Sequence, residues 1–275
     1  MQIHTTGIGD ITVHAIEDGY FHREPTVMFP ESDPTVWARG WPGIDDDGLR
    51  VSLGCFLLTT PDGHVLVDTG IGRNADAVGG VGGALPQALA QLGIDRSDIA
   101  TVIHTHLHAD HICGNLGPDG EVVYGDAAFY VHEAEWAFWR ETDHPAANTV
   151  RSLFEPVIGT GRVELLTGSV DVTSRISVLE TPGHTPGHVC VKVDGGDGTA
   201  LVITGDVTHH PAQAAHPEWN VGFDIDKPLA AETRRRVFAM LADEGWVQAS
   251  GHYPRPGIGR VRRAGDAFEM RLEEG

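Results

Sequence analysis

Within the eight residues His104-Thr105-His106-Leu107-His108-Ala109-Asp110-His111 the chain carries four histidines and one carboxylate. Imidazole nitrogen and carboxylate oxygen are the donors that a borderline divalent cation such as zinc takes as first ligands, and core packing gives no reason to gather so many titratable groups. The segment directly follows the apolar run Ile99-Ala100-Thr101-Val102-Ile103. If that strand continues through His104, residues two apart point to one side, so His106 and His108 reach one ion together. Gly114, Asn115 and Gly117 mark where the extended chain ends, which lets Asp110 and His111 turn toward a neighbouring position. One short segment can thus serve two ions. His104 would share the side of His106 and His108, but two ions already have their donors, and it is read as a structural histidine.

The remaining donors must come from elsewhere, and three occur just past the ends of strand patterns. Gly183-His184 follows the strand read at 177–179, Gly205-Asp206 follows 200–204, and Gly251-His252 follows Trp246-Val247-Gln248-Ala249. A glycine before each lets the backbone adopt conformations other residues resist, which helps to aim a short side chain. Any one of them alone is more often structural than a ligand; together, behind the dense cluster, they point to a shared site.

The elements that position these residues alternate. Strands are expected at 11–16, 52–59 and 64–68, with Pro61-Asp62-Gly63 as a hairpin turn. A helix at 84–92 ends at Gly93; a strand at 99–103, a short aromatic-rich helix at 133–140, strands at 177–179, 189–193 and 200–204, and a long helix at 229–242 closed by Gly245 follow. At 275 residues the chain fits one α/β domain spanning 1–275, and no composition break divides it. Two stretches, 21–50 and 143–160, resist assignment and are read as ordered loops over a pocket.

Charge limits the partners. With 39 acidic against 19 basic residues the formal net charge is −20, which opposes nucleic acid and anionic membranes and favours a small-molecule substrate that is not polyanionic. The basic stretches Arg260–Arg263 and Arg234–Arg236 are read as a solvated helix face or local ion pairing. No run is long enough for a membrane span, and the N-terminus lacks the basic start and apolar stretch of a secretory signal. Cys55, Cys113 and Cys190, far apart and odd in number, suit a reduced cytoplasmic chain, and Cys113 is read as a small buried residue despite its closeness to His111.

The pattern His-x-His-x-Asp-His, then Gly-His, Gly-Asp and Gly-His, resembles the metallo-β-lactamase superfamily from about Val51 to His252. That resemblance implies a four-layer αβ/βα sandwich, two mixed sheets packed face to face with helices outside and a dinuclear site at one edge. By position, His106, His108 and His184 would hold the first metal, Asp110, His111 and His252 the second, and Asp206 would bridge them. Val65-Leu66-Val67-Asp68-Thr69-Gly70 matches a further signature of the family, whose aspartate supports the ligands, and His188 would support them too. The segments 205–213 and 252–261 are most similar to the branch of quorum-quenching lactonases and methyl-parathion-hydrolase-like enzymes. In that branch an N-terminal extension, here 21–50, shapes the pocket, and homodimers are common.

Two divalent ions, zinc by expectation with iron, manganese or cobalt as alternatives, would lower the pKa of a bridging water so that hydroxide attacks an ester-type carbonyl near neutral pH, as single zinc ions bring water to ~7. Asp110 is the expected acid/base residue, and a lactone the favoured substrate. Phosphotriesters, thioesters and other esters suit the same site. A mononuclear iron persulfide dioxygenase using only His106, His108 and His184, and a non-catalytic metal-binding module, are the other readings. Phe29, Trp37 and Trp41, with Met28, Trp136 and Trp139, are expected to line an apolar cleft, and His210 (or His209) to reach the substrate.

Overall fold

A computed structural model describes residues 3–274; residues 1, 2 and 275, the ends of the expected domain and the first residues of the segment read for a leader, lie outside the described residues. The first sheet holds β1 (Ile3–Ile8), β2 (Ile11–Arg23), β3 (Ile44–Asp45), β4 (Gly48–Thr60), β5 (Gly63–Val67), β6 (Ile99–Ile103), β7 (Ala128–His132) and β8 (Val163–Leu166). They run in the order β1-β2-β4-β5-β6-β7-β8, with β3 paired to β4. The second holds β9 (Val170–Asp171), β10 (Ile176–Glu180), β11 (Val189–Asp194), β12 (Ala200–Ile203), β13 (Val247–Ala249), β14 (Ile258–Ala264) and β15 (Ala267–Leu272), adjacent in sequence order. Both are mixed: β5 to β8 run parallel, as do β12 and β13.

Side chains alternate along each strand, and the alternation assigns the layers. Phe56, Leu58, Val65, Val67 and Ile103 of the first sheet meet Val178, Val191, Leu201, Ile203 and Ala249 of the second in one core. Leu57, Leu66 and Val102, one residue out of phase, face α3 (Leu85–Gln91), α5 (Glu133–Glu141) and α6 (Ala147–Gly159). Val202 and Val261 face α8 (Lys227–Glu244) through Val237, Phe238 and Leu241. Each such side chain taken wholly from water contributes about 1.5–3 kcal/mol, so slipping a strand by one residue would invert both faces. The four-layer sandwich expected from the sequence is the fold observed.

Four differences are informative. The stretch 143–160 is not a loop but carries α6, whose buried Ala147, Val150, Phe154 and Val157 form one helical stripe. Residues 21–50 continue β2 and begin β4, and between them place two single turns, α1 (Pro25–Met28) and α2 (Pro34–Trp37). Arg260–Arg263 lie in β14 rather than on a helix, with Arg262 paired to Glu269 and Arg263 to Asp243. Arg234 on α8 is only 1% exposed, so it belongs to no solvated face. Among the described residues no helix is long and apolar enough to cross a membrane, and Cys55, Cys113 and Cys190 are free and buried.

Candidate metal centre

Strand direction brings the donors to one edge. Asp68 and His104 follow β5 and β6, which end side by side with Val67 opposite Ile103. Asp206 and His252 follow β12 and β13, paired in parallel with Ile203 opposite Ala249. His184 follows β10, which runs with β12 because each pairs antiparallel with β11. Past β6 the chain bends at Thr105, is extended at His108 and then turns into α4 (Ala109–Ile112), which carries Asp110 and His111. The strand does not continue through His104 as expected, yet His106 and His108 still converge.

Two donor groups result, with Asp206, His209 and His252 forming a third set that overlaps them. His106 Nε2 and His184 Nε2 lie 3.0 and 2.9 Å from His108 Nδ1. In the other group Asp110 Oδ2 lies 3.6 Å from both His111 Nε2 and His252 Nε2. Asp206 stands between the groups: Oδ2 is 3.2 Å from His184 Nε2, and Oδ1 is 3.1 Å from His111 Nε2 and from His252 Nε2. Seven side chains singled out in the sequence are therefore drawn into one cluster. All are buried except His108 and Asp110, which open toward solvent.

The rear of three of the rings is held. His111 Nδ1 donates to Asp68 Oδ2 and His184 Nδ1 to Asp224 Oδ1, each at 2.8 Å, and His252 Nδ1 donates to the Ser52 carbonyl at 2.7 Å. With Nδ1 fixed as the donor, Nε2 keeps the lone pair a cation needs. Asp68 also accepts from the Thr105 amide and hydroxyl, both at 2.8 Å, and is the non-glycine residue with positive φ among those described. Burial pushes its carboxyl pKa up, but facing His111 and His104 outweigh that and leave it below the ordinary range. His188 works through the backbone: its Nε2 accepts from the Asp206 amide at 2.9 Å, and Nδ1 lies 2.8 Å from Thr181 Oγ1.

Glycine matters differently at Gly205 and Gly251. Gly205 has φ +48, and a Cβ there would stand 2.6 Å from His188 Nε2. Gly251 needs no special φ; it is required because the Gly54 carbonyl would lie 2.6 Å from its Cβ.

The electrostatics fit cations. Burial pulls His106 and His108 well below the ordinary histidine range, so both rings are neutral. Burial also opposes a charge on His184, but the Asp206 and Asp224 carboxylates hold its pKa up at about 9. That proton must leave when Nε2 ligates. His111 Nε2 and Asp206 Oδ1, buried and 3.1 Å apart, have no hydrogen-bond partner. Buried polar atoms left unpaired are costly, and a cation bound to each removes the deficit. The donor set fits two divalent ions.

Other expected site residues stand behind or beside these donors. His104 is buried against Phe129 and Phe154, its Nε2 accepting from Asn115 Nδ2 at 3.1 Å, in keeping with a structural role. Phe29 is wholly buried, stacked on Trp37 at 5.4 Å, and both touch Trp219. That leaves Phe29 no surface for a substrate. Trp41 is half-buried, and His210 sits between Trp37 and Trp41 with Nε2 donating to the Pro42 carbonyl at 2.8 Å. The extension thus packs on the loop that carries Asp206. His209 stacks on His252, planes within 7°, and its Nε2 lies 3.0 Å from Asp206 Oδ2. Sequence reasoning missed Asp224, Ser52, Arg234 and Glu135.

Comparison with known proteins agrees with this geometry. A family model described as the metallo-beta-lactamase superfamily matches residues 54–252. An N-acyl homoserine lactonase of Bacillus sp is 26% identical over 220 residues, 74% of this chain and 82% of the relative. The Mus musculus protein named metallo-beta-lactamase domain-containing protein 1 is 32% identical over 253 residues, 89% of this chain and 83% of that one. Among solved structures, the dizinc quorum-quenching lactonase AidC in complex with a product superposes with a TM-score of 0.89 at 22% identity, covering 99% of this chain and 98% of that one. At that identity the likeness speaks for the fold.

Proposed function

The chain belongs to the metallo-beta-lactamase superfamily and is a metal-dependent hydrolase, and from that premise we propose that it opens small lactones with two zinc ions. The observation that carries the reading is Asp206, whose carboxylate stands between two donor groups, Oδ1 toward His111 and His252 and Oδ2 toward His184 and also His252. His106, His108 and His184 would hold one ion, Asp110, His111 and His252 the other, and Asp206 both. Bound there, the cations supply Lewis acidity and lower the pKa of water to ~7.

The rest is work for the chain's own residues. Asp68, Asp224 and Ser52 fix the ring orientations, so little reorganisation accompanies the reaction. Asp110 is the most exposed carboxylate of the set, with 24% of its side chain accessible, and stands where a proton can be taken from water and returned to the leaving oxygen. A lactone leaves as a poor alkoxide that needs that proton. The preference for a lactone draws on the relative named as an N-acyl homoserine lactonase and on the net charge of −20, which disfavours polyanionic substrates. Phosphotriesters and thioesters remain alternatives for the same site. An iron dioxygenase with three histidines would leave Asp110, His111 and His252 convergent to no purpose, and this favours two metals.

The test is to strip the protein with chelator, restore zinc, cobalt or manganese, and assay acyl-homoserine lactones, aryl esters, phosphotriesters and thioesters. Lactonase activity returning with two equivalents of metal is expected. No hydrolysis with any metal, or one iron per chain with persulfide turnover, would overturn the proposal.

A further inference from the structure

Glu135, in the first turn of α5, has no solvent exposure, and among the described residues it stands in no ion pair. Its two oxygens instead accept four hydrogen bonds. Oε1 accepts from the Leu107 amide at 3.0 Å and from Trp139 Nε1 at 2.6 Å. Oε2 accepts from Thr185 Oγ1 at 2.6 Å and from the Gly187 amide at 3.0 Å. Leu107 lies between His106 and His108, and Thr185 directly follows His184. One carboxylate therefore ties the segment bearing two of the first group's ligands to the segment bearing the third.

The surroundings hold the carboxylate to this task. Trp139, one turn along α5, both donates to Oε1 and sets its ring edge-on to His108, centroids 5.4 Å apart. A Cβ on Gly187 would stand 2.1 Å from the Glu135 amide nitrogen, so the loop lies directly on the helix. Burial raises the Glu135 pKa, and all four donors oppose that rise by stabilising the carboxylate. The second donor group does not depend on it, since His111 leans on Asp68 and His252 on the Ser52 carbonyl.

We infer that Glu135 is a positioning residue for one ion only, a clamp that sets His106 and His108 relative to His184. The inference rests on the metal-site reading above. Glutamine has the same shape but would turn an NH2 group toward two donors, where the carboxylate offers oxygens alone.

The experiment is a stepwise zinc titration of the metal-free chain against a competing chromophoric chelator. Glu135→Gln should weaken one binding step by about 10–100-fold, the usual effect of removing a ligand's supporting partner, and leave the other step unchanged. Thr185→Val, which deletes one donor at similar volume, should weaken the same step by less, and it decides the matter if Glu135→Gln does not fold. Equal weakening of both steps, or of neither, overturns the clamp. A wild-type chain that binds fewer than two zinc ions overturns the site reading itself, and shows it before any substitution is made.

Discussion

Arg234 and Asp224 meet at 3.4 Å with side chains 1% and 0% exposed, and the other oxygen of Asp224 receives the Nδ1 proton of His184. The guanidinium also donates to the carbonyls of Val207, Pro217 and Trp219, so a single cation on α8 ties together the irregular chain between Asp206 and Asp224. Replacing Arg234 by methionine takes the guanidinium from a buried carboxylate and leaves the Val207 and Pro217 carbonyls without their donor, while the Trp219 carbonyl keeps Gln213. A loss of about 3–5 kcal/mol is expected, as for other buried pairs broken on one side, read from the urea midpoint of the metal-free protein. Lysine should recover little of it, because one ammonium cannot reproduce the fork. An unchanged midpoint in Arg234→Met would refute this account.

Of the two donors that open toward solvent, His108 and Asp110, Asp110 is the carboxylate. Asparagine at that position keeps an oxygen for the metal but cannot carry a proton. Asp110→Asn is therefore expected to lower kcat on a lactone by about 100- to 10,000-fold, the range for loss of a positioned acid/base, while the saturated protein still holds two metals by elemental analysis. Loss of metal in step with activity would reduce Asp110 to a ligand.

The local half of the site is legible in the sequence; the supporting half is not. His106, His108, Asp110 and His111 lie within six consecutive residues, and their types alone announce a cation. Asp224, in contrast, reaches His184 across 40 residues from an irregular loop, and nothing around it marks it. Ser52 contributes a backbone carbonyl, which any residue would supply, so no side chain could have signalled it. Glu135 did leave a trace, a carboxylate beside Trp136 and Trp139 on the buried face of a short helix. In the fold, β6 was readable at its observed limits because an apolar run has definite ends. The helix α6 is hidden by Pro156, which reads as a breaker yet lies inside the helix, next to the buried Val157 that completes its apolar stripe.

The extension's aromatic residues should separate by burial. Phe29 is fully enclosed between Trp37 and Trp219, and its replacement by alanine should cost about 3–5 kcal/mol of stability, as large-to-small changes of buried aromatics do. Trp41 keeps part of its ring in solvent while Nε1 donates to the Val36 carbonyl. Trp41→Ala should therefore shift KM between short and long acyl-homoserine lactones more than it shifts the melting temperature. The opposite pattern, with Trp41→Ala unfolding and Phe29→Ala altering only KM, would place the substrate on the wrong ring.

His210 gives a pH dependence whose sign can be worked out. Its Nε2–H donates to the Pro42 carbonyl, and Nδ1 accepts from the Ala212 amide at 3.1 Å, so the neutral ring satisfies both nitrogens. A proton on Nδ1 would face that amide's own hydrogen. Burial, only partly opposed by the Pro42 bond, lowers the pKa to about 4 from the ordinary 6.5. Between those values the unfolded chain binds the proton and the folded chain does not, so stability falls as pH drops from 6.5 toward 4 and is fully present above 6.5. Replacing His210 by glutamine removes that titration. The variant's unfolding free energy, from urea melts across this window, should change less steeply with pH than the wild type's, whatever its absolute value, and identical slopes would show that His210 does not couple folding to protons.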